Sequence, residues 1–297
     1  MDGREIDKEA DFFTGTITIS TMPIYQVIVL AIIQGLTEFL PVSSSGHLIV
    51  IPRLLGWPEH SLEFDVALHL GTLVAILIYF YRDWIHLIAN GLGLRIGHDP
   101  ELSRNRGLVW LIALATIPVA IAGVLFEKQA EASFRSFYII GPMLIIVGIA
   151  MWFADRYTNG QKDLSRVGGV DSFLIGLSQA FAIIPGTSRS GITITTGLFR
   201  NLDRPTAARF SFLLSTPAIA GAVLKKAWDV HKEGGIPHNM QVPMALGVII
   251  SGLVGAAVIA FFMQYLRRHT LAVFVWYRII FGIIIVALAA FFRVNAG

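Results

Sequence analysis

The sequence predicts an all-α polytopic membrane protein. It further predicts an inverted-topology repeat, each half a re-entrant helical hairpin plus three transmembrane helices. Three observations carry this. The 297 residues are 55% hydrophobic and only 14% charged, where soluble domains carry about 25% charged residues. Six apolar stretches approach the roughly 20 residues a spanning helix needs, and four shorter ones fall in two pairs, each pair broken by a polar segment. The two polar segments match at a spacing of 145 residues: Gln34 on Gln179, Ser43 on Ser188, Ser45 on Ser190 and Gly46 on Gly191.

The elements follow in order. Residues 1–22 read as a polar tail with Asp2, Glu5, Asp7, Glu9 and Asp11, unlike a cleavable signal peptide; Met22 is an alternative start. Residues 23–297 form a single membrane domain. Its first hairpin has apolar arms at about 24–40 and 46–56, and spans follow at about 62–81, 108–126 and 137–154. These make repeat one, about 23–155. The second hairpin has arms at about 172–184 and 191–199, followed by spans at about 208–226, 242–266 and 271–292. These make repeat two, about 172–292. Three spans separate the hairpins, so the second enters from the opposite face. Non-helical backbone at membrane depth survives only where it is buried in protein or lines a wet cavity, so the two polar tips are expected to meet near the midplane. A weaker echo pairs Phe64–Thr72 with Phe210–Pro217.

Lysine and arginine sort the loops into two faces. One collects Arg82, Arg95, Arg104, Arg106, Arg156, Lys162, Arg166, Arg200, Arg204, Arg209, Arg267 and Arg268. The other collects Arg53, Lys128, Arg135, Lys225, Lys226, Lys232 and Arg293, with Arg4 and Lys8 of the tail. The first face is expected in the cytoplasm, with both termini outside. A net charge of +3 gives no nucleic-acid footprint. The absence of cysteine excludes disulfides, thiolate catalysis and cysteine-based metal sites.

The tips hold the chemistry. Glu38 is the only carboxylate in either tip. His47 offers a base, nucleophile or metal ligand near neutral pH. Ser43, Ser44, Ser45, Thr187, Ser188 and Ser190 supply hydroxyls, and Arg189 supplies a planar cation suited to phosphate. Gly46, Gly186 and Gly191 let backbone amides approach a ligand. Each loop precedes a half-helix, whose amide end favours an anion. Glu38 with Gln34 could hold a hard divalent cation. The sum is a parts list for metal-assisted phosphoryl transfer. A phosphate carried by a lipid would need such a site inside a membrane.

Blander roles compete. Ser45 and Ser190 serve helix packing as readily as function. Glu38 has a structural reading as the partner of Arg189, and Gln34 is ambiguous because its copy Gln179 recurs without a carboxylate. Asp65 and His69, one turn apart, either line the cavity or face an aqueous mouth and receive no role. Asp83, His86, His98 and His231 read as solvated loop residues. Arg189 has the weakest structural explanation, since an arginine between half-helices has no route to an interface.

At these residues the sequence resembles the undecaprenyl-diphosphatase family, the bacitracin-resistance type of bacterial inner-membrane phosphatase. The resemblance rests on Gln34 to Glu38 running into Pro41–His47, and on Pro185–Gly191. It covers nearly the whole chain after Met22. It implies removal of the terminal phosphate from undecaprenyl diphosphate, a magnesium or calcium ion, and a site open to the periplasm. Position by position, Glu38, Ser44, His47 and Arg189 match the family's essential residues. Gln34 stands where the family often has Glu, so Glu38 must carry the acid role alone. Ser44 is the first choice of nucleophile with His47 as its base; attack by His47 stays open. The competing class is a secondary transporter or flippase of polyprenyl phosphate, because inverted repeats with broken helices are also transporter architecture. Expected partners are a polyprenyl diphosphate and membrane lipid, with a homodimer left open.

Overall fold

A computed structural model describes residues 22–295, apart from 59, 95, 98, 132, 133 and 233. The tail 1–21, Arg95 and His98 lie outside the described residues. Among those described there is no strand, only an isolated bridge between Lys162 and Leu202. The chain opens with α1 (Ile24–Phe39) and α2 (Ser44–Leu54), the arms of the first broken pair. Then come α3 (Leu62–Tyr79), α4 (Tyr81–Gly91), the short α5 (Pro100–Arg104), α6 (Leu108–Leu125), the short α7 (Glu127–Glu131) and α8 (Phe137–Tyr157). The second broken pair is α9 (Gly169–Ala180), extended by a 3-10 turn Phe181–Ile183, and α10 (Arg189–Phe199). Three long helices finish the chain: α11 (Arg204–Lys232), α12 (His238–Leu266) and α13 (Ala272–Asn295).

Among the described residues, α6, α8, α11, α12 and α13 are each long and apolar enough to cross a membrane. The sixth expected span, 62–81, is α3, which is long and apolar enough together with α4, and the pair is bent by 72° at Phe80. That bend and the helix beyond it were not expected. All six apolar stretches are therefore helical, and the protein is a multi-pass helical membrane protein.

The packing repeats itself. Helix α12 lies along α1 and α3, while α6 lies along α9 and α11, the elements 145 positions on. Helices α8 and α13, the last of each half, pack on one another. Contact between helices in a membrane relies on small residues. A Cβ on Gly71 of α3 would collide with Ser251 Oγ and the Val248 carbonyl of α12. Gly71→Ala is therefore expected to destabilise the protein by about 1–3 kcal/mol, read as a lower melting temperature in detergent. Gly221→Ala in α11, with nothing within 4 Å of the added atom, is the control that should leave it unchanged.

Charged side chains pair within the two sets that the loops defined. On one set, Arg209 meets Asp83 and Asp99, both at 2.7 Å; Arg204 meets Asp155, and Asp171 meets Arg200 at 2.8 Å and Lys162 at 3.2 Å. On the other, Arg135 lies 3.8 Å from Asp65 and accepts a bond from Arg53 at its carbonyl, and Lys226 meets Glu63 at 3.0 Å. Asp65 and Glu63 lie in the first turn of α3, within two turns of His69.

Candidate functional site

Both tips turn on a serine in the left-handed region. Ser43 has φ 79° and Ser188 has φ 68°. Each then caps the half-helix it precedes: Ser43 Oγ accepts from the Gly46 amide at 3.3 Å, and Ser188 Oγ from the Gly191 amide at 3.1 Å. Ser45 and Ser190 repeat the match, lying 3.4 Å and 3.3 Å from their capping serines. The duplication seen in the letters is thus a duplication of backbone geometry. Gly186 sits at φ 92°, and a Cβ there would fall 2.5 Å from the Ile140 carbonyl, so no other residue fits that turn.

The tips meet at Glu38, on the last turn of α1 and 8% exposed. Arg189, the first residue of α10, donates Nη2–H to Glu38 Oε1 at 2.8 Å. Ser44 Oγ donates to Glu38 Oε2 at 2.6 Å, and Gln34 Nε2 donates to the same oxygen at 3.1 Å. Ser190 Oγ donates to the Leu40 carbonyl at 3.2 Å, tying the second tip to the chain that leaves α1. A buried carboxylate needs such partners, because an unpaired one is strongly destabilising. The pair Glu38–Arg189 is therefore partly structural. It is not saturated, however. Arg189 Nη1, Gln34 Oε1 and Thr187 Oγ1 are buried without a partner among the described residues. Glu38, Arg189 and Ser190 also line a small cavity with Ser211, Ser215, Phe39 and Phe212. Of the three unpartnered groups only Arg189 lines that cavity, and its remaining donor is what a bound anion or water would satisfy.

His47 is close by in sequence but engaged elsewhere. Its Nδ1 bonds the Ser43 carbonyl at 2.7 Å and its Nε2 bonds the Tyr277 hydroxyl at 2.6 Å. Its ring stacks on Phe281 with centroids 4.6 Å apart. The expected Ser44–His47 partnership is thus corrected: both imidazole nitrogens are taken, and the Ser44 hydroxyl rests on Glu38. The carbonyl contact fixes the tautomer, with Nδ1 as donor and Nε2 accepting from Tyr277.

Tyr277 and Arg278 escaped the sequence reading, and His69 with Asp65 was weighed there as lining the cavity or facing its mouth but given no role. His69 approaches Glu38, with Nε2 3.6 Å from Oε2, and is oriented by Nδ1 on the Asp65 carbonyl at 2.7 Å. Asp65 itself faces His60 at 2.6 Å, at the rim. Tyr277 holds His47. Arg278 beside it is 0% exposed and donates to carbonyls of both tips. A lone charge inside an apolar run is a strong signal, and Arg278 carried it; Tyr277 carried none.

For a cation, no group of three His, Cys, Asp or Glu side chains converges among the described residues. The protein offers oxygen donors of the right hardness in Glu38 and in Gln34 Oε1, which lacks a partner among the described residues. These fit a divalent cation whose other ligands are phosphate oxygens or water.

The family model described as "Bacitracin resistance protein BacA" matches residues 27–284. A protein of Pelotomaculum thermopropionicum named undecaprenyl-diphosphatase is 48% identical over 269 residues, 91% of this chain and 98% of that one. One of the same name from Moorella thermoacetica is 47% identical over 266 residues, 90% of this chain and 98% of its own. Another from Chloroherpeton thalassium is 41% identical over 282 residues, 93% of this chain and all of its own. With both motifs in place and the match running through nearly every helix, the chain belongs to the bacitracin resistance protein BacA family.

Proposed function

We propose that this chain hydrolyses undecaprenyl diphosphate to undecaprenyl phosphate and inorganic phosphate, recycling a lipid carrier for peptidoglycan synthesis and conferring bacitracin resistance. The observation that carries the reading is the meeting of Arg189, Glu38 and Ser44 from two separate tips, within a chain whose relatives are named for this hydrolysis. Carriage of polyprenyl phosphate, the competing class, requires neither a serine hydroxyl held on a carboxylate nor the family's diphosphatase names, and is not favoured.

The residues suggest the order of events. The terminal phosphate takes the unfilled Nη1 of Arg189 and competes with Glu38 for the rest of the guanidinium. Glu38 Oε2, which already accepts from Ser44, then takes the Ser44 proton. Ser44 Oγ then bonds to the terminal phosphorus while the bridging P–O bond breaks, and undecaprenyl phosphate leaves with the bridging oxygen. Water releases the phosphate from Ser44 in a second step. The amide ends of α2 and α10 stabilise the charge on the transferring group. A divalent cation, magnesium or calcium, would be held by Glu38 and Gln34 and would neutralise phosphate charge when bound. Tyr277 and Phe281 keep His47 in place beside this loop.

The reading extends to placement. The two hairpins enter from opposite faces, the membrane is the bacterial inner membrane, and the mouth rimmed by Asp65, His69 and Arg135 faces the periplasm. A homodimer is compatible with the lipid-facing helices.

Phosphate release from a C55 diphosphate in detergent tests the reaction and the cation together. Release should stop in EDTA and return with magnesium or calcium; EDTA-resistant turnover would remove the cation from the scheme. Trapped phospho-enzyme identifies the nucleophile: an acid-stable label supports Ser44, and an acid-labile, alkali-stable one moves the attack to His47.

A further inference from the structure

Arg278 is the least expected residue in the molecule. It lies in the first third of α13, fully buried, and among the described residues no carboxylate pairs with it. Its guanidinium instead reaches five backbone carbonyls. Nη1 donates to Pro41 at 3.1 Å; Nη2 faces Gly186 at 2.9 Å, Thr187 at 3.0 Å and Met143 at 3.5 Å; Nε faces Leu144 at 3.3 Å. Pro41 precedes Ser43 and Ser44 in the first tip. Gly186 and Thr187 precede Ser188 and Arg189 in the second. One planar group therefore spans both tips, and α8 carries it through Leu144 and Met143. Gly191, the residue that Ser188 caps, passes so close that an added Cβ would stand 3.0 Å from Nη1.

From this geometry we infer that Arg278 is a positioning residue: it sets the first tip against the second, so that Ser44 and Glu38 stand correctly before Arg189. It touches none of the reacting groups. Its charge has a second consequence. Among the described residues, Arg189 has the Glu38 carboxylate while Arg278 has backbone carbonyls alone, so Arg278 is a buried cation beside the tips with no carboxylate on it. An anionic headgroup supplies the missing negative charge. The inference rests on the phosphatase reading for its readout.

The guanidinium fork matters here more than the charge. A lysine ammonium is a point donor and cannot reach Pro41 on one side and Gly186 with Thr187 on the other. Misplacing a reacting group by about 1 Å costs on the order of 100-fold. Arg278→Lys should therefore lower kcat per folded molecule about 10- to 100-fold while KM stays within about 3-fold. Arg278→Met, which also removes the charge, should lower kcat similarly and raise KM about 10-fold more.

The experiment measures kcat, KM and melting temperature for wild type and both variants on the same diphosphate, normalised to monodisperse protein. If turnover per folded molecule in Arg278→Lys stays within about 2-fold of wild type, the residue is only structural and the inference fails, whatever the melting temperature. If Arg278→Lys does not fold, Gly148→Ala decides. Its Cβ would stand 3.3 Å from Arg278 Cβ and 3.2 Å from Ile279 Cγ1, far in sequence from either tip. Turnover lowered by about 3-fold or more in that folded variant supports positioning through α13, and unchanged turnover overturns it. Wild type with no phosphate release at all would instead sink the phosphatase reading, which separates the two failures.

Discussion

Arg189→Lys is expected to lower kcat/KM by about 10²–10³-fold. The guanidinium has two jobs that a lysine cannot do together. Nη2 holds Glu38 at 2.8 Å, and Nη1 is buried and unfilled, ready for a phosphate oxygen. An ammonium keeps the charge but offers one point of attachment. Placed on Glu38 it leaves the phosphate; placed on the phosphate it leaves Glu38. Steady-state phosphate release in detergent checks this directly. Turnover within about 3-fold of wild type would remove Arg189 from the clamp, and with it the meaning given to the meeting of the tips.

Glu38→Gln should do more damage, on the order of 10³–10⁴-fold in kcat. This carboxylate is the acceptor for Ser44 at 2.6 Å, the partner of Arg189, the neighbour of His69 at 3.6 Å and one of the two oxygen donors we propose for a cation. An amide oxygen can still accept one bond, but it takes no proton. It also leaves Arg189 without its counter-charge in a largely dry setting, which should cost about 3 kcal/mol of stability. The two effects separate in measurement. Melting temperature reports the lost pair, while a single-turnover assay on folded protein reports the lost acceptor. A folded Glu38→Gln protein that keeps more than about a tenth of wild-type turnover would transfer the proton-accepting role to another group, such as His69, which lies 3.6 Å from Glu38.

Much of this was legible in the letters because a membrane imposes crude, strong rules. Roughly 20 apolar residues are needed to cross it, so the six spans stood out as composition. Charged and hydroxylic residues are costly there, so the two tips stood out as exceptions, and their duplication aligned them without any structure. What stayed hidden depended on distance in space. The 72° bend at Phe80 falls where the apolar run ends before Arg82 and Asp83, and those letters mark the end of a span without showing that a second helix turns away from it. Ser44 and His47 sit one turn apart in sequence, yet Ser44 turns to Glu38 and His47 to Tyr277, 230 positions away. His69 was visible as a titratable residue one turn from Asp65, but its approach to Glu38 joins α3 to α1. Arg278 was visible as a lone charge in an apolar run, but its role was hidden. Its partners are backbone carbonyls, which every residue owns, so no spacing of residue types could have marked them.

The paired left-handed serines have a kinetic consequence. Holding Ser43 and Ser188 at positive φ costs about 1–2 kcal/mol each relative to ordinary backbone, and the surrounding helices sustain that strain in the resting protein. The amide ends of α2 and α10 are thus preorganised, with no reordering left for the moment of capture. Association of a diphosphate lipid should then be governed by its lateral diffusion and its approach to the mouth, and not by an induced fit of the tips.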